Sequence, residues 1–273
     1  MKQGRMPWIF LPVLLLLFLP GCATLPKTVA VSGHEKEQVN AAFMALMDAV
    51  KGCHCCLDAN VTLRFNSLFQ SGTMSGYFQT KSPSFLKFIG ENPFGQPLII
   101  FTTDGKNFSY ATVMEQRIYE GSTDSRKYVK YAPPGFDAAY SYYWLSGRIW
   151  LENYTFIDVS REKDSGHYWL ELKSPEGLIH LILFDTEKEL IYRHLLKDNN
   201  GKIQLDVRYE GYAMNHLHNA GKTCRLPGFI AIKSQKSGAS IELEFRDWIS
   251  HPTFPDSDFN MYPPQNFEKI IVQ

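Results

Sequence analysis

The sequence predicts a mainly β fold of the α+β class. Many antiparallel strands should form a sandwich or barrel, preceded by one amphipathic helix. Three observations carry this. From Val61 onward, runs rich in Val, Ile, Leu, Phe and Tyr recur at the spacing of about 8–12 residues seen in antiparallel β proteins. Turn-forming pairs separate them, among them Ser71-Gly72, Asp104-Gly105, Glu120-Gly121, Asn200-Gly201 and Ser237-Gly238, with residues suited to tight reversals. Strands do not alternate with helical periods, so the parallel βαβ units of a Rossmann-type sheet are not expected.

The N-terminus opens with Lys2 and Arg5, then an apolar run from Met6 to Leu19, then Pro20-Gly21-Cys22. This has the charge and length of a signal peptide and is short of the roughly 20 residues a stable span needs. Leu19-Pro20-Gly21-Cys22 resembles a bacterial lipobox, which makes Cys22 the lipidated residue; the alternative is an ordinary secretory leader that happens to contain a cysteine. A multiply acylated Cys22 anchors without spanning, since each buried CH₂ contributes about 0.8 kcal/mol. Ala23 and Thr24 follow, with no Asp at the second position, which by similarity to proteobacterial lipoproteins implies the outer membrane. A tether runs to Gly33.

Ser32 and Glu35 have capping-box spacing and start a helix. Val39, Phe43, Leu46 and Val50 place one apolar stripe along it. Strands are predicted near 61–69, 73–80, 84–90, 97–103, 107–113 and 116–121. An irregular stretch follows, broken by Pro133-Pro134, with short helices at Phe136–Tyr140 and Tyr143–Leu145. Strands resume near 154–159, 167–173, 178–184, 189–197, 202–210, 228–234 and 240–247.

Lys+Arg and Asp+Glu both number 28, and 44% of residues are hydrophobic. Such a chain is too apolar for disorder. It also lacks the basic excess of a nucleic-acid binder. Ile179, Leu181 and Leu183 alternate with His180, Ile182 and Phe184, and Leu98–Phe101 is a continuous apolar run. Strands apolar on both faces must be covered twice or line a greasy cavity; a single helix and a lid leave little to cover a second face.

Beyond Cys22 there are four cysteines, Cys53, Cys55, Cys56 and Cys224. An even count in an oxidising compartment favours a disulfide from one of the first three to Cys224. Free thiols, or a metal or redox role for the cluster with His54, are the alternatives. His216-Leu217-His218 has metal-ligand spacing but no accompanying carboxylates, and reads as solvated loop. Gly72–Gly76 is not a nucleophile elbow, and no P-loop, His-Glu-x-x-His or Gly-x-Gly-x-x-Gly occurs. No enzyme, cofactor or metal site is expected. The oddest local feature is Asn92-Pro93-Phe94-Gly95-Gln96-Pro97, a forced turn with an aromatic at its tip, where polar residues are usual. Phe94 either folds back as a plug or forms an exposed apolar finger.

Taken together these stretches resemble the LolB-type lipoprotein receptors of the LolA/LolB half-barrel superfamily. Asn92-Pro93-Phe94-Gly95 is similar to that family's Asn-Pro-Leu-Gly turn. Tyr143-Trp144-Leu145-Ser146-Gly147-Arg148 is similar to its Trp-Leu-x-Gly lid segment, Leu226–Ile232 to its late Pro-containing strand, and Ile241–Ile249 to its last strand. The likeness spans Cys22 to Ile249 in order. The Cys53–Cys56 cluster, Ile149-Trp150 and the tail from His251 depart from the pattern, and the tail resembles the final strand of carrier-type members.

The resemblance implies a signal peptide at 1–21, a lipidated tether at 22–33, an unclosed antiparallel half-barrel at 34–250 and an extension at 251–273 that adds a strand. The N-terminal helix and lid helices would cover an apolar cavity. It also implies a monomeric receptor on the periplasmic side of the outer membrane. Such a receptor takes acylated lipoprotein cargo from a LolA-like carrier and inserts it into outer-membrane lipid. Pro93, Phe94 and Gly95 would form the membrane-insertion turn. Phe65, Phe88, Ile100, Tyr142, Trp144, Leu145, Trp169 and Leu183 are the candidate cavity and lid residues. The alternatives are a lipid or glycolipid carrier of the same fold, or a sensor or scaffold lipoprotein that releases no cargo.

Overall fold

The computed structural model describes residues 27–53, 55–67, 71–132, 138–149, 153–216, 223–235, 237–262 and 266–273. Residues 1–26 with Cys22, His54, the Pro133–Asp137 stretch, Trp150, Leu217-His218 and Pro263-Pro264 lie outside them.

A short strand, β1 (Thr28–Ala30), precedes helix α1 (Gly33–Lys51). The Ser32 hydroxyl accepts a hydrogen bond from the Glu35 amide at 3.2 Å, satisfying one of the helix's free donors. Glu35 in the first turn and Lys51 in the last complement the helix dipole. Val39, Phe43 and Met47 form the buried stripe. Leu46 and Val50 flank it, partly buried against the same core.

One meander follows: β2 (Cys56–Asn66), β3 (Ser71–Lys81), β4 (Phe85–Glu91), β5 (Pro97–Thr103), β6 (Asn107–Thr112) and β7 (Arg117–Ser122). The chain then crosses through a 3-10 turn at Tyr128–Lys130, another at Ala138–Tyr140, and the short helix α2 (Ser141–Leu145). A second meander holds β8 (Thr155–Glu162), β9 (Tyr168–Lys173), β10 (Ile179–Asp185), β11 (Leu190–Lys197) and β12 (Ile203–Glu210). A separate hairpin, β13 (Ala213–His216) and β14 (Thr223–Leu226), leads to β15 (Phe229–Ser234), β16 (Ser240–His251) and finally β17 (Glu268–Val272).

Fifteen of these strands form one sheet in the order β1-β8-β9-β10-β11-β12-β15-β16-β2-β3-β4-β5-β6-β7-β17. The β16–β2 pairing joins the two meanders, and β1 and β17 end the sheet without pairing each other. The half-barrel expectation therefore holds: one curled sheet, not closed. Strand positions match the sequence reading closely, with four differences. β2 begins at Cys56 and β16 runs to His251, because the two continue to pair beyond an irregularity at Arg246/Ile249. Ser71-Gly72 and Glu120-Gly121 lie inside strands, not at turns. His216 ends a strand paired to Thr223 instead of sitting in a loop. Thr28–Ala30, read as tether, forms the edge strand on β8.

The tail is integral to the sheet. Phe254 and Phe259 bury against Cys56. Lys81 and Lys87 donate to the Phe254 and Asp258 carbonyls, each at 2.8 Å. β17 then adds to β7 in parallel, Glu268 opposite Arg117.

Helix α1 covers the inner face of the second meander, with Phe43 edge-on to Phe184 at 5.4 Å. Since side chains alternate across a strand, Ile182 and Phe184 face this core while Leu181 and Leu183 face outward. The outer side carries its own small cluster of Trp169, Leu181, Leu183, Leu195 and Ile203. Arg193 covers it, lying 5.9 Å over the Trp169 ring and holding Asp206 through two hydrogen bonds of 2.8 and 2.7 Å. Long side chains with apolar stems can shield such a patch without a second layer.

Candidate functional site

An apolar cavity of about 390 Å³ lies on the inner face of the first meander, under Lys130, Tyr131 and Ala132 and Leu145 of α2. Register explains its walls. Phe78, Phe88, Phe101 and Tyr110 stand opposite one another on β3, β4, β5 and β6 and make one apolar row. Leu243, Leu63 and Met74 on β16, β2 and β3 make another. Between the rows, Gly76 faces Gly90. A Cβ on Gly90 would come within 2.6 Å of the Met74 sulfur and 2.8 Å of Ile99 Cγ1. Only glycine lets these wall residues lean across the strand there. Tyr131 closes one end, 5.2 to 5.5 Å from the rings of Phe108, Tyr110 and Tyr119.

Of the eight residues expected to form cavity and lid, Phe65, Phe88 and Leu145 line it. Trp144 does not: it packs on the main core by stacking on His194, with ring centroids 4.6 Å apart. Tyr142 belongs to a separate buried cluster with Leu57 and Leu226. Ile100 is placed on the opposite face by its pairing with Ile89, and Ile99 and Phe101 take its role. Trp169 and Leu183 are corrected in the same way to the outer cluster. The glycine pair was missed, although glycine within an apolar strand signals a close approach.

The Asn92–Gln96 turn presents Phe94, 88% exposed. It is a finger and not a plug. The Asn92 side-chain oxygen accepts from the Phe94 and Gln96 amides at 2.9 and 3.0 Å, and Gly95 adopts φ +76°, which glycine takes without penalty. Asn92 and Gly95 thus shape the turn that holds Phe94 outward, with Pro93 beside it. Because β4 and β6 run the same way in the meander, the β6–β7 turn lies at the same end of the sheet. Its Met114 is 83% exposed, a second apolar tip that sequence reasoning missed. Asn66, Ser67 and Ser240, which border the cavity, lie at this same end of β2 and β16.

Cys53 and Cys224 form a disulfide, with Cα atoms 5.9 Å apart. Cys55 and Cys56 are free thiols 2.8 Å apart. Burial pushes Cys56 up to about 12, which keeps that thiol protonated and lowers its nucleophilicity at neutral pH. Among the described residues no cluster of three metal-ligating side chains occurs.

Beneath Trp144, His180 Nδ1 and His194 Nε2 share a hydrogen bond of 2.8 Å, with Tyr154 edge-on to His180 at 4.8 Å. Burial depresses both: His180 falls to about 4, opposed by Glu176, and His194, with His180 beside it, lies well below its usual value. Between about pH 6.5 and 4 the unfolded chain binds these protons and the folded one resists them. Stability is therefore full above about pH 6.5 and falls as pH drops through that window. The melting temperature should drop from pH 7 to 4.5, and a His180→Gln/His194→Gln variant should drop less.

No family model and no curated protein matches the sequence. Solved structures share the fold. A LolA superfamily protein from Nitrosomonas europaea is similar over 81% of this chain and 97% of its own, at 14% identity and a TM-score of 0.53. A domain assigned to outer membrane lipoprotein sorting from Vibrio parahaemolyticus is similar over 84% and 97%, at 10% identity and a TM-score of 0.53. A DUF1329 family protein from Desulfovibrio piger covers 81% and 97%, at 10% identity and a TM-score of 0.55.

Proposed function

We propose that this LolA-type fold serves a lipid-anchored, periplasm-facing receptor. It would bind the acyl chains of lipoproteins and help insert them into the outer membrane. The observation that carries the reading is the apolar cavity bordered at the end of the sheet where Phe94 and Met114 protrude. Its volume, about 390 Å³, lies within the range of about 300–1,000 Å³ of ligand pockets. Acyl chains cannot cross water freely, since exposure costs about 25 cal/mol per Å². Non-directional apolar walls hold them and still release them. Phe94 would enter the bilayer interface, where aromatic side chains are favoured. Cys22 would supply the anchor, and a LolA-like carrier the cargo. The reading requires no catalytic group, cofactor or metal.

The test is transfer of a fluorescent triacylated lipopeptide from the purified protein to liposomes. Wild type should bind and release; Phe94→Glu should bind equally and release several-fold more slowly. A second reading, a lipid or glycolipid carrier, draws support from β17, because the tail resembles the final strand of carrier-type members. Unchanged release by Phe94→Glu would select it.

A further inference from the structure

A second cavity, of about 450 Å³, lies between the C-terminal half of α1, the residues after α2, the β10–β11 turn and β14. It shares no lining residue with the acyl cavity. Val50 and Leu190 give it an apolar wall, and Arg148, Lys188 and Arg225 give it three cations against one lining acid, Glu189. The disulfide from Cys53 to Cys224 ties two of its walls together.

Arg148 carries the argument. It is only 5% exposed. Its Nη1 donates to the Tyr142 hydroxyl at 2.8 Å, and its guanidinium lies 5.7 Å from the Tyr142 ring. Burial raises the pKa of Tyr142, so that partner is neutral. No carboxylate among the described residues pairs with Arg148. A guanidinium cannot shed its proton, and a buried cation without an anion is costly. At the mouth, Arg225 Nη1 donates to the Lys188 carbonyl at 3.1 Å, which fixes its guanidinium beside that turn. Lys188 itself is 62% exposed and only 4.0 Å from Asp185, leaving donors free for a ligand.

We propose that this cavity binds a phosphate group, borne by a phospholipid head or by a small free phosphate. Several acceptor oxygens on one anion match donors arriving from three elements, and arginine forks are suited to them. The apolar α1 wall would seat the first carbons of a glycerolipid. The site is separate from the acyl cavity, so it can fail or stand independently of the receptor reading.

Titration calorimetry on the full-length chain would use dihexanoyl phosphatidylglycerol below its micelle concentration and, separately, inorganic phosphate. Binding of either at micromolar to low-millimolar affinity is expected. Tighter binding of the lipid assigns a head group, and equal binding assigns a free phosphate. Arg225→Ala, at an exposed position, should weaken binding about tenfold, the size of a hydrogen bond to a charged group, with an unchanged melting curve. Arg148→Gln should abolish it, and Met74→Asp, in the other cavity, should leave it intact. Absence of binding by both probes, or affinity insensitive to Arg225→Ala, overturns the proposal.

Discussion

Met74→Asp is expected to lower affinity for a triacylated lipopeptide on the order of a hundredfold, while Met74→Leu stays near wild type. Met74 is half-buried, lines the apolar cavity of the first meander and leans over Gly90. An aspartate there either stays ionised against apolar chains or takes up a proton on binding, and both are unfavourable. A hundredfold is about 2.7 kcal/mol, a modest share of that penalty. The half-buried position and the control variant separate lost binding from lost folding, with circular dichroism and a melting curve alongside a fluorescence titration. Equal affinity in both variants would place the acyl chains elsewhere.

Removing the disulfide should produce the largest loss of stability. Cys53 follows the C-cap of α1 and Cys224 sits in β14, 171 residues away. A cross-link over so long a loop restricts the unfolded chain strongly, and losing a native disulfide typically costs about 2–5 kcal/mol. The Cys53→Ser/Cys224→Ser double variant should therefore show a lower denaturation midpoint in urea. Dithiothreitol should shift the wild type to the same midpoint and leave the double variant unmoved, since Cys55 and Cys56 are already free thiols. A double variant as stable as wild type would mean that the link contributes nothing to the fold.

Much of the architecture was legible in the sequence because it rests on local chemistry. Ser32 and Glu35 marked the start of α1, the Val39–Phe43 spacing marked its buried face, and Asn92–Pro97 marked the exposed turn. Less legible was which side of each strand meets the cavity. Ile100, Trp169 and Leu183 are as apolar as Phe88 and Phe101, yet they point the other way. Alternation fixes that neighbours oppose each other. It does not say which face a helix covers when both are greasy, and here Arg193 and Asp206 shield an outer cluster that a pattern alone assigns to a cavity.

By itself the sequence determined a many-stranded antiparallel β fold with one capped helix, a forced turn carrying Phe94 at its tip, and an even set of cysteines that favours a bond to Cys224. Each follows from side chains close in the chain or from counting. The tertiary structure alone decided that Phe94 is a finger, that Cys224 bonds to Cys53, and that Thr28–Ala30 and Glu268–Val272 end the sheet against β8 and β7. It alone brought Arg148, Lys188 and Arg225 to one cavity. These depend on contacts between residues distant in sequence, where closing the loop costs entropy that only the assembled sheet and core offset.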